Sequence, residues 1–293
     1  MIEGGVLAAV PNSGGTSRPR SAAPENACDS HIHVYDPRFP MAWPNLRAVP
    51  HASAAEYRLL QRRNGTRRVV VVQPAAYGID NDVTLDAIAQ LGHEDARGIA
   101  VVHPGVTDTQ LVAMGKGGIC GLRFTLHEPR TAVTRAEMIE PLAHRAHRLG
   151  WHVQLHLRAE QIVAMADLIA SLPGTIVFDH MGRMPQPEAT HHPAFAIVMR
   201  LVDARRAWVK LSGPYLDTRE GAPRYADVKH VARAFAERAP ERCVWGSDWP
   251  HPTEPTAKPD DAVLFDLLQE WAPDEATRTR ILVDNPAELY GFR

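Results

Sequence analysis

The run VVVVQ, Val69 to Gln73, decides the fold. It is an almost continuous β-branched stretch, the pattern of a strand buried on both faces in a parallel sheet. Outward from it, other short apolar runs alternate with longer amphipathic ones. Eight strands are expected: Asp29–Val34, Val69–Pro74, Gly98–His103, Ile119–Leu126, His152–Leu157, Thr175–His180, Trp208–Ser212 and Cys243–Asp248. Helix signals fall between them. Thr107 with Gln110 and Thr134 with Glu137 have capping-box spacing, Tyr225–Ala239 spaces its apolar residues three and four apart, and Gly150 stands where a helix would end. Eight β-then-α units predict a closed (β/α)₈ barrel, and an open doubly wound sheet is the alternative. No G-x-G-x-x-G follows any strand, which weakens a dinucleotide site.

The chain has 293 residues, and a barrel needs ~250. Residues 1–27, rich in Gly, Ser, Pro and Ala, are expected to be a flexible leader, and 28–293 the barrel. The Pro-rich stretch Pro185–Pro193 is expected to loop over the barrel mouth. A net charge of −2 gives no reason to expect a nucleic-acid or membrane-surface partner, and no segment has the ~20 apolar residues of a membrane span. Cys28, Cys120 and Cys243 are odd in number and far apart, each at or near a strand start. Buried free thiols in a reducing cytoplasm are expected, rather than disulfides.

Chemistry in such a barrel sits at the C-terminal ends of the strands, and here those ends are polar. His31 and His33 share a face of the first strand, because alternate residues point the same way. Two inward imidazoles are costly unless paired or bound to something. The fifth strand adds His156 and the sixth His180; either alone would read as a satisfied core histidine. His152 shares a face with His156 but lies at the opposite end of the barrel. Asp248 ends the eighth strand, where a buried carboxylate needs a cation or a metal. Imidazoles with a carboxylate suit Zn²⁺.

The motifs DSHIHVYDPRFP (29–40), NDVTLDAIAQLG (81–92), ARGIAVV (96–102), GLRF (121–124), FDHMGR (178–183) and VWGSDWPHP (244–252) carry a resemblance over roughly residues 27–292. The sequence is similar to the amidohydrolase superfamily and, within it, resembles the 2-pyrone-4,6-dicarboxylate lactonases, with 4-sulfomuconolactone and sugar-lactone hydrolases as neighbours. The resemblance implies a distorted (β/α)₈ barrel that hydrolyses carboxylate-bearing lactones. It implies that His180 polarises the substrate carbonyl and that Asp248 handles the water proton. Arg123, Arg130 and Arg183 would hold substrate carboxylates. Position 156 departs from the pyrone lactonases, which carry a non-ligand residue there; metal-using members carry His. The expectation is therefore one divalent metal, Zn²⁺, on His31, His33, His156 and Asp248, and a muconolactone bearing a sulfonate or carboxylate as substrate. Strand four offers no Lys or Glu to bridge a second ion. Lys210 is either a substrate anchor or a structural charge. Tyr215 and His251 are expected in the pocket, with Trp249 there or in the core. Homo-oligomers are common for such barrels. The competing readings are a 2-pyrone-4,6-dicarboxylate or sugar-acid lactonase without essential metal, a metal-dependent decarboxylase of an unsaturated acid with the same ligand set, a metal-free lactone isomerase, and a non-catalytic metal-binding or scaffold protein.

Overall fold

The computed structural model describes residues 9–42, 50–128 and 132–293. Among them, eight parallel strands follow one another in order around a single sheet. They are β1 (Cys28–Ile32), β2 (Arg68–Val72), β3 (Ala96–Ala100), β4 (Ile119–Thr125), β5 (His152–His156), β6 (Ile176–Phe178), β7 (Ala207–Leu211) and β8 (Cys243–Trp245). The sheet closes by backbone just beyond β1 and β8. Asp248 N–H donates to the His31 carbonyl at 2.8 Å, and His33 N–H to the Trp249 carbonyl at 2.8 Å. This is the expected barrel, and the open sheet is excluded.

The seam depends on two residues of β8's exit. At Gly246 a Cβ would lie 2.7 Å from the Cβ of His31 and 2.8 Å from its backbone nitrogen, so only glycine lets the strands approach. The buried carboxylate of Asp29 accepts from Ser247 N–H at 2.9 Å and Ser247 Oγ at 2.6 Å. Tyr57 Oη donates to it as well, at 3.2 Å.

Two irregularities re-aim side chains. Between β1 and β2 the register slips from Asp29↔Val69 to Ile32↔Val71. Between β3 and β4 it slips from Gly98↔Ile119 to Ile99↔Gly121. Each puts an extra residue in one strand and reverses the alternation beyond it. Cys28 therefore packs with Val70, Val72 and Ile99 in the lower barrel, while His31, three residues on, also reaches the interior. Cys120 and Arg123 are related in the same way. Tyr290 and Phe292, near the chain's end, belong to that lower cluster.

Local expectations hold in part. Thr107 and Gln110 form their capping box. Thr134 does not cap: helix Ala136–Arg148 starts from Arg135, and the Thr134 hydroxyl instead accepts from Thr125 N–H at 3.1 Å. The helix expected over Tyr225–Ala239 covers Lys229–Arg238. β6 and β8 stop before His180 and Asp248, whose φ values of +49° and +62° leave the strand conformation. Residues 9–27 carry no regular element and lie against the barrel. Pro11 O accepts from Trp249 Nε1 at 2.9 Å, and Arg20 N–H donates to Asp266 at 2.9 Å. All three cysteines are free. No helix among the described residues is long and apolar enough to cross a membrane.

Ser247→Ala removes a hydroxyl from a buried carboxylate at the seam. It is expected to cost about 2 kcal/mol of stability in urea unfolding, and a loss below about 0.5 kcal/mol would show that the seam does not depend on it.

Candidate active site

The site is built on a row of imidazoles across the barrel mouth. Ring centroids run from His33 to His31 at 5.0 Å, to His180 at 4.7 Å, to His156 at 5.0 Å and to His127 at 4.0 Å. Asp248 stands at the His33 end and two arginines at the His156 end.

At the first end, His31 Nε2, His33 Nε2 and Asp248 Oδ1 face one another. The nitrogens are 3.4 Å apart, and Oδ1 lies 3.6 Å from His31 and 3.5 Å from His33. Three ligands at ~2.0–2.2 Å from a four-coordinate ion stand roughly 3.3–3.6 Å apart, so the donor set fits a zinc-sized cation. Its surroundings fit too. His33 Nδ1 is 2.8 Å from the Val72 carbonyl, which can only accept, so the lone pair is on Nε2 and points inward. His31 Nδ1 is 3.3 Å from Asp179 Oδ1. Asp248 Oδ1 is buried with no hydrogen-bond partner, an orphan that a cation would satisfy.

The structure does not bring His156 into that group. Among the described residues, the clusters able to hold a metal are His31–His33–Asp248 and His31–Asp179–His180. His156 Nδ1 is 3.1 Å from Arg123 Nη2, and its Nε2 is 3.3 Å from Arg183 Nη1. Whichever nitrogen carries the proton, the other faces a guanidinium N–H, so the one lone pair of the neutral ring is already committed. The parallel register Thr125↔His156 sets the ring beside Arg123, a neighbour that the spacing of residues along the chain does not reveal.

Beneath the row lies Asp179, which sequence reasoning missed. Its Oδ2 accepts from Arg123 Nε at 2.9 Å and Gln154 Nε2 at 3.0 Å. Burial alone would raise its carboxyl, but Arg123, His31 and Lys210 outweigh that and hold it well below the usual range. The signal was available: Asp179 ends a buried strand, as Asp248 does. Lys210 is fully buried, its Nζ donating to the Ser30 carbonyl at 2.9 Å and lying 3.7 Å from Asp179 Oδ1. Burial lowers its pKa to about 8. Lys210 is therefore placed as a structural charge under the site and not as a substrate anchor.

His180 Nδ1 is 2.9 Å from Ser212 Oγ. Gly213 (φ +59°) crosses here, and a Cβ on it would come 2.9 Å from His180 Nδ1. Arg183 Nε donates to Asp217 at 2.7 Å. Tyr215 Oη donates to Asp248 Oδ2 at 2.6 Å. His251 is fully buried behind Tyr215, away from any pocket it was expected to line, and Trp249 is core. Arg130 lies outside the described residues. Around Asp248, burial would raise the carboxyl, but His180, His33 and His31 lower it further, well below its ordinary value. The site thus offers an ionised carboxylate beside a cation-sized donor set, and paired guanidiniums at the far end.

The amidohydrolase family matches residues 28–292. The 4-sulfomuconolactone hydrolase of Rhizobium radiobacter is 35% identical, covering 92% of this chain and 91% of its own. The 2-pyrone-4,6-dicarboxylate hydrolase of Comamonas testosteroni is 34% identical, over 94% and 93%. An apo crystal structure from Agrobacterium tumefaciens superposes with a TM-score of 0.87 at 31% identity, covering 96% of this chain and 99% of that one.

Two outcomes follow. His156→Ala leaves Zn²⁺ affinity, measured by chelator competition, within about threefold of the parent; a loss of about 100-fold or more would return it to the metal set, since even a residue that only supports a ligand costs about 10–100-fold. Burial is the leading cause of lowered pKa at five imidazoles: His31, His156, His127 (about 3), His152 (about 3) and His180 (about 4). Between pH 6.5 and 4 the unfolded chain binds protons that the folded chain refuses, so stability falls as pH falls. Asp29, raised by burial to about 7, has the opposite sign but is one group against five. The urea midpoint of metal-free protein is expected to drop between pH 7.5 and 5.0, and a rise would contradict the neutral assignments.

Proposed function

We propose, from the fact that this chain belongs to the amidohydrolase family, that it hydrolyses the ring ester of a small anionic lactone. 4-Sulfomuconolactone, or a related carboxylated muconolactone or pyrone from aromatic-compound breakdown in the cytoplasm, is the substrate class. One observation carries the reading. Asp248 Oδ1, buried and unpartnered between His31 and His33, stands at one end of a row of rings that ends in the Arg123–His156–Arg183 group. The row gives a lactone two ends to meet, a hydrolytic one and an anion-binding one.

The anionic arm of the substrate is held by the guanidiniums, whose planar forks match carboxylate or sulfonate. That places the ring carbonyl over His180, in the middle of the row. Ser212 beside Nδ1 fixes this ring and leaves Nε2 for the carbonyl oxygen. A preorganised donor there is worth about 3–4 kcal/mol to the developing oxyanion. Asp248, kept ionised, takes the proton of the attacking water and returns it to the ring oxygen as the ester C–O bond breaks. His31, His33 and Asp248 are the residues that would hold a divalent ion, zinc by donor type, which when bound lowers the pKa of water from 15.7 towards ~7.

The test is a panel of anionic lactones assayed with zinc-loaded and chelated protein. One zinc per chain is expected, with activity lost on chelation and restored by Zn²⁺. Full activity after chelation would make the metal dispensable. Asp248→Asn is expected to lower kcat by about 10²–10⁴-fold with KM little changed; a retained rate would remove Asp248 as the base.

A further inference from the structure

Behind Asp248 three buried or half-buried groups line up away from the imidazole row. The Tyr215 hydroxyl, donating to Asp248 Oδ2 at 2.6 Å, is also 3.0 Å from His251 Nδ1. His251 Nε2 is 3.1 Å from Asp261 Oδ2. His251 and Asp261 are both fully buried, out of reach of anything bound in the mouth.

We propose that Asp261, His251 and Tyr215 form a brace that aims the Asp248 carboxylate, and so are positioning residues for the reaction. The inference rests on the reading of Asp248 given above. Asp248 leaves β8 with φ +62°, so no strand ladder fixes its side chain. Its Oδ2 is held by Tyr215, which leaves Oδ1 turned to His31 and His33. Tyr215 is itself only half-buried, on the short turn Pro214–Leu216, and needs a second contact to stay in register. His251 supplies it, and both its ring nitrogens are engaged, so the ring cannot rotate without losing a partner.

Two further observations separate this from incidental packing. His251, like Asp248, is held at positive φ (+54°), and its N–H donates to the Asp248 carbonyl at 2.9 Å. Lys258 Nζ donates to the Pro250 and His251 carbonyls at 2.7 and 2.9 Å, fixing the same turn. A non-glycine residue there is strained and persists only where its surroundings over-determine it. Asp261 is also expensive. It is a buried carboxylate whose Oδ1 has no partner, and its compensation is His251 together with the N-terminus of helix Asp261–Trp271. Apolar residues would fill the same space at lower cost. What they would not do is orient Tyr215.

The experiment is a double-mutant cycle on the full chain with Tyr215→Phe and Asp261→Asn. It is read by Zn²⁺ affinity in chelator competition and by kcat and KM on 4-sulfomuconolactone. Each single variant is expected to weaken Zn²⁺ binding and lower kcat about tenfold, with KM unchanged. Because Asp261 acts through Tyr215, the double variant should be no worse than Tyr215→Phe alone. Effects that multiply, or that move KM only, would overturn the brace. So would unchanged Zn²⁺ affinity and kcat in both single variants. If the Asp261 variant does not fold, Tyr215→Phe alone must show the tenfold losses. A parent protein that leaves this lactone intact would count against the proposed function, while the zinc cycle still judges the brace.

Discussion

Asp179 carries a charge in the middle of the barrel with no access to water, and much of the site is arranged around that fact. Arg123 and Lys210 supply the opposing charges, Gln154 a neutral donor, and His31 stands within reach of its other oxygen. Each partner is thereby fixed in direction. Arg123 is turned so that its Nη2 meets His156, and His31 presents Nε2 to His33 and Asp248. A buried ion network is weak support for stability, since desolvation consumes most of its Coulomb energy. Its effect here is geometric: side chains from β1, β4, β5 and β7 are tied to one carboxylate at the end of β6.

Strain is present at the site as well as in loops away from it. His180, Arg183, Asp248 and His251 all hold positive φ, although none is glycine. His180 and Asp248 come two and three residues after strands that stop short, so the backbone turns and lifts the side chain into the mouth instead of continuing the ladder. Hydrogen bonds at these turns, including Asp248 N–H to the His31 carbonyl, also close the barrel. The cost of the site conformation is therefore met by the same contacts that complete the fold.

His156 shows how one residue type can serve two chemistries. A neutral imidazole has one lone pair, and its use depends on which partner the fold sets opposite it. Beside Arg123 and Arg183 it spaces two guanidiniums that would otherwise repel, and that arrangement suits an anion. His33, with a carbonyl fixing its other nitrogen, keeps its lone pair for the centre of the barrel.

The sequence by itself determined the barrel, because βα periodicity and β-branched runs are local properties repeated eight times. It also determined that His31, His33, His180 and Asp248 meet, because strand ends in a closed barrel converge. It left Asp179 unnoticed beside His180 and took His156 for a ligand and His251 for a pocket residue. Asp179 could have been read from its place at a buried strand's end, but His156 turns on the β4–β5 register that sets it beside Arg123, and His251 on the turn beyond β8 that buries it, and no apolar pattern announces either. Only the tertiary structure decided which nitrogen faces which partner, since lone pairs are allotted by contacts between strands far apart in the chain.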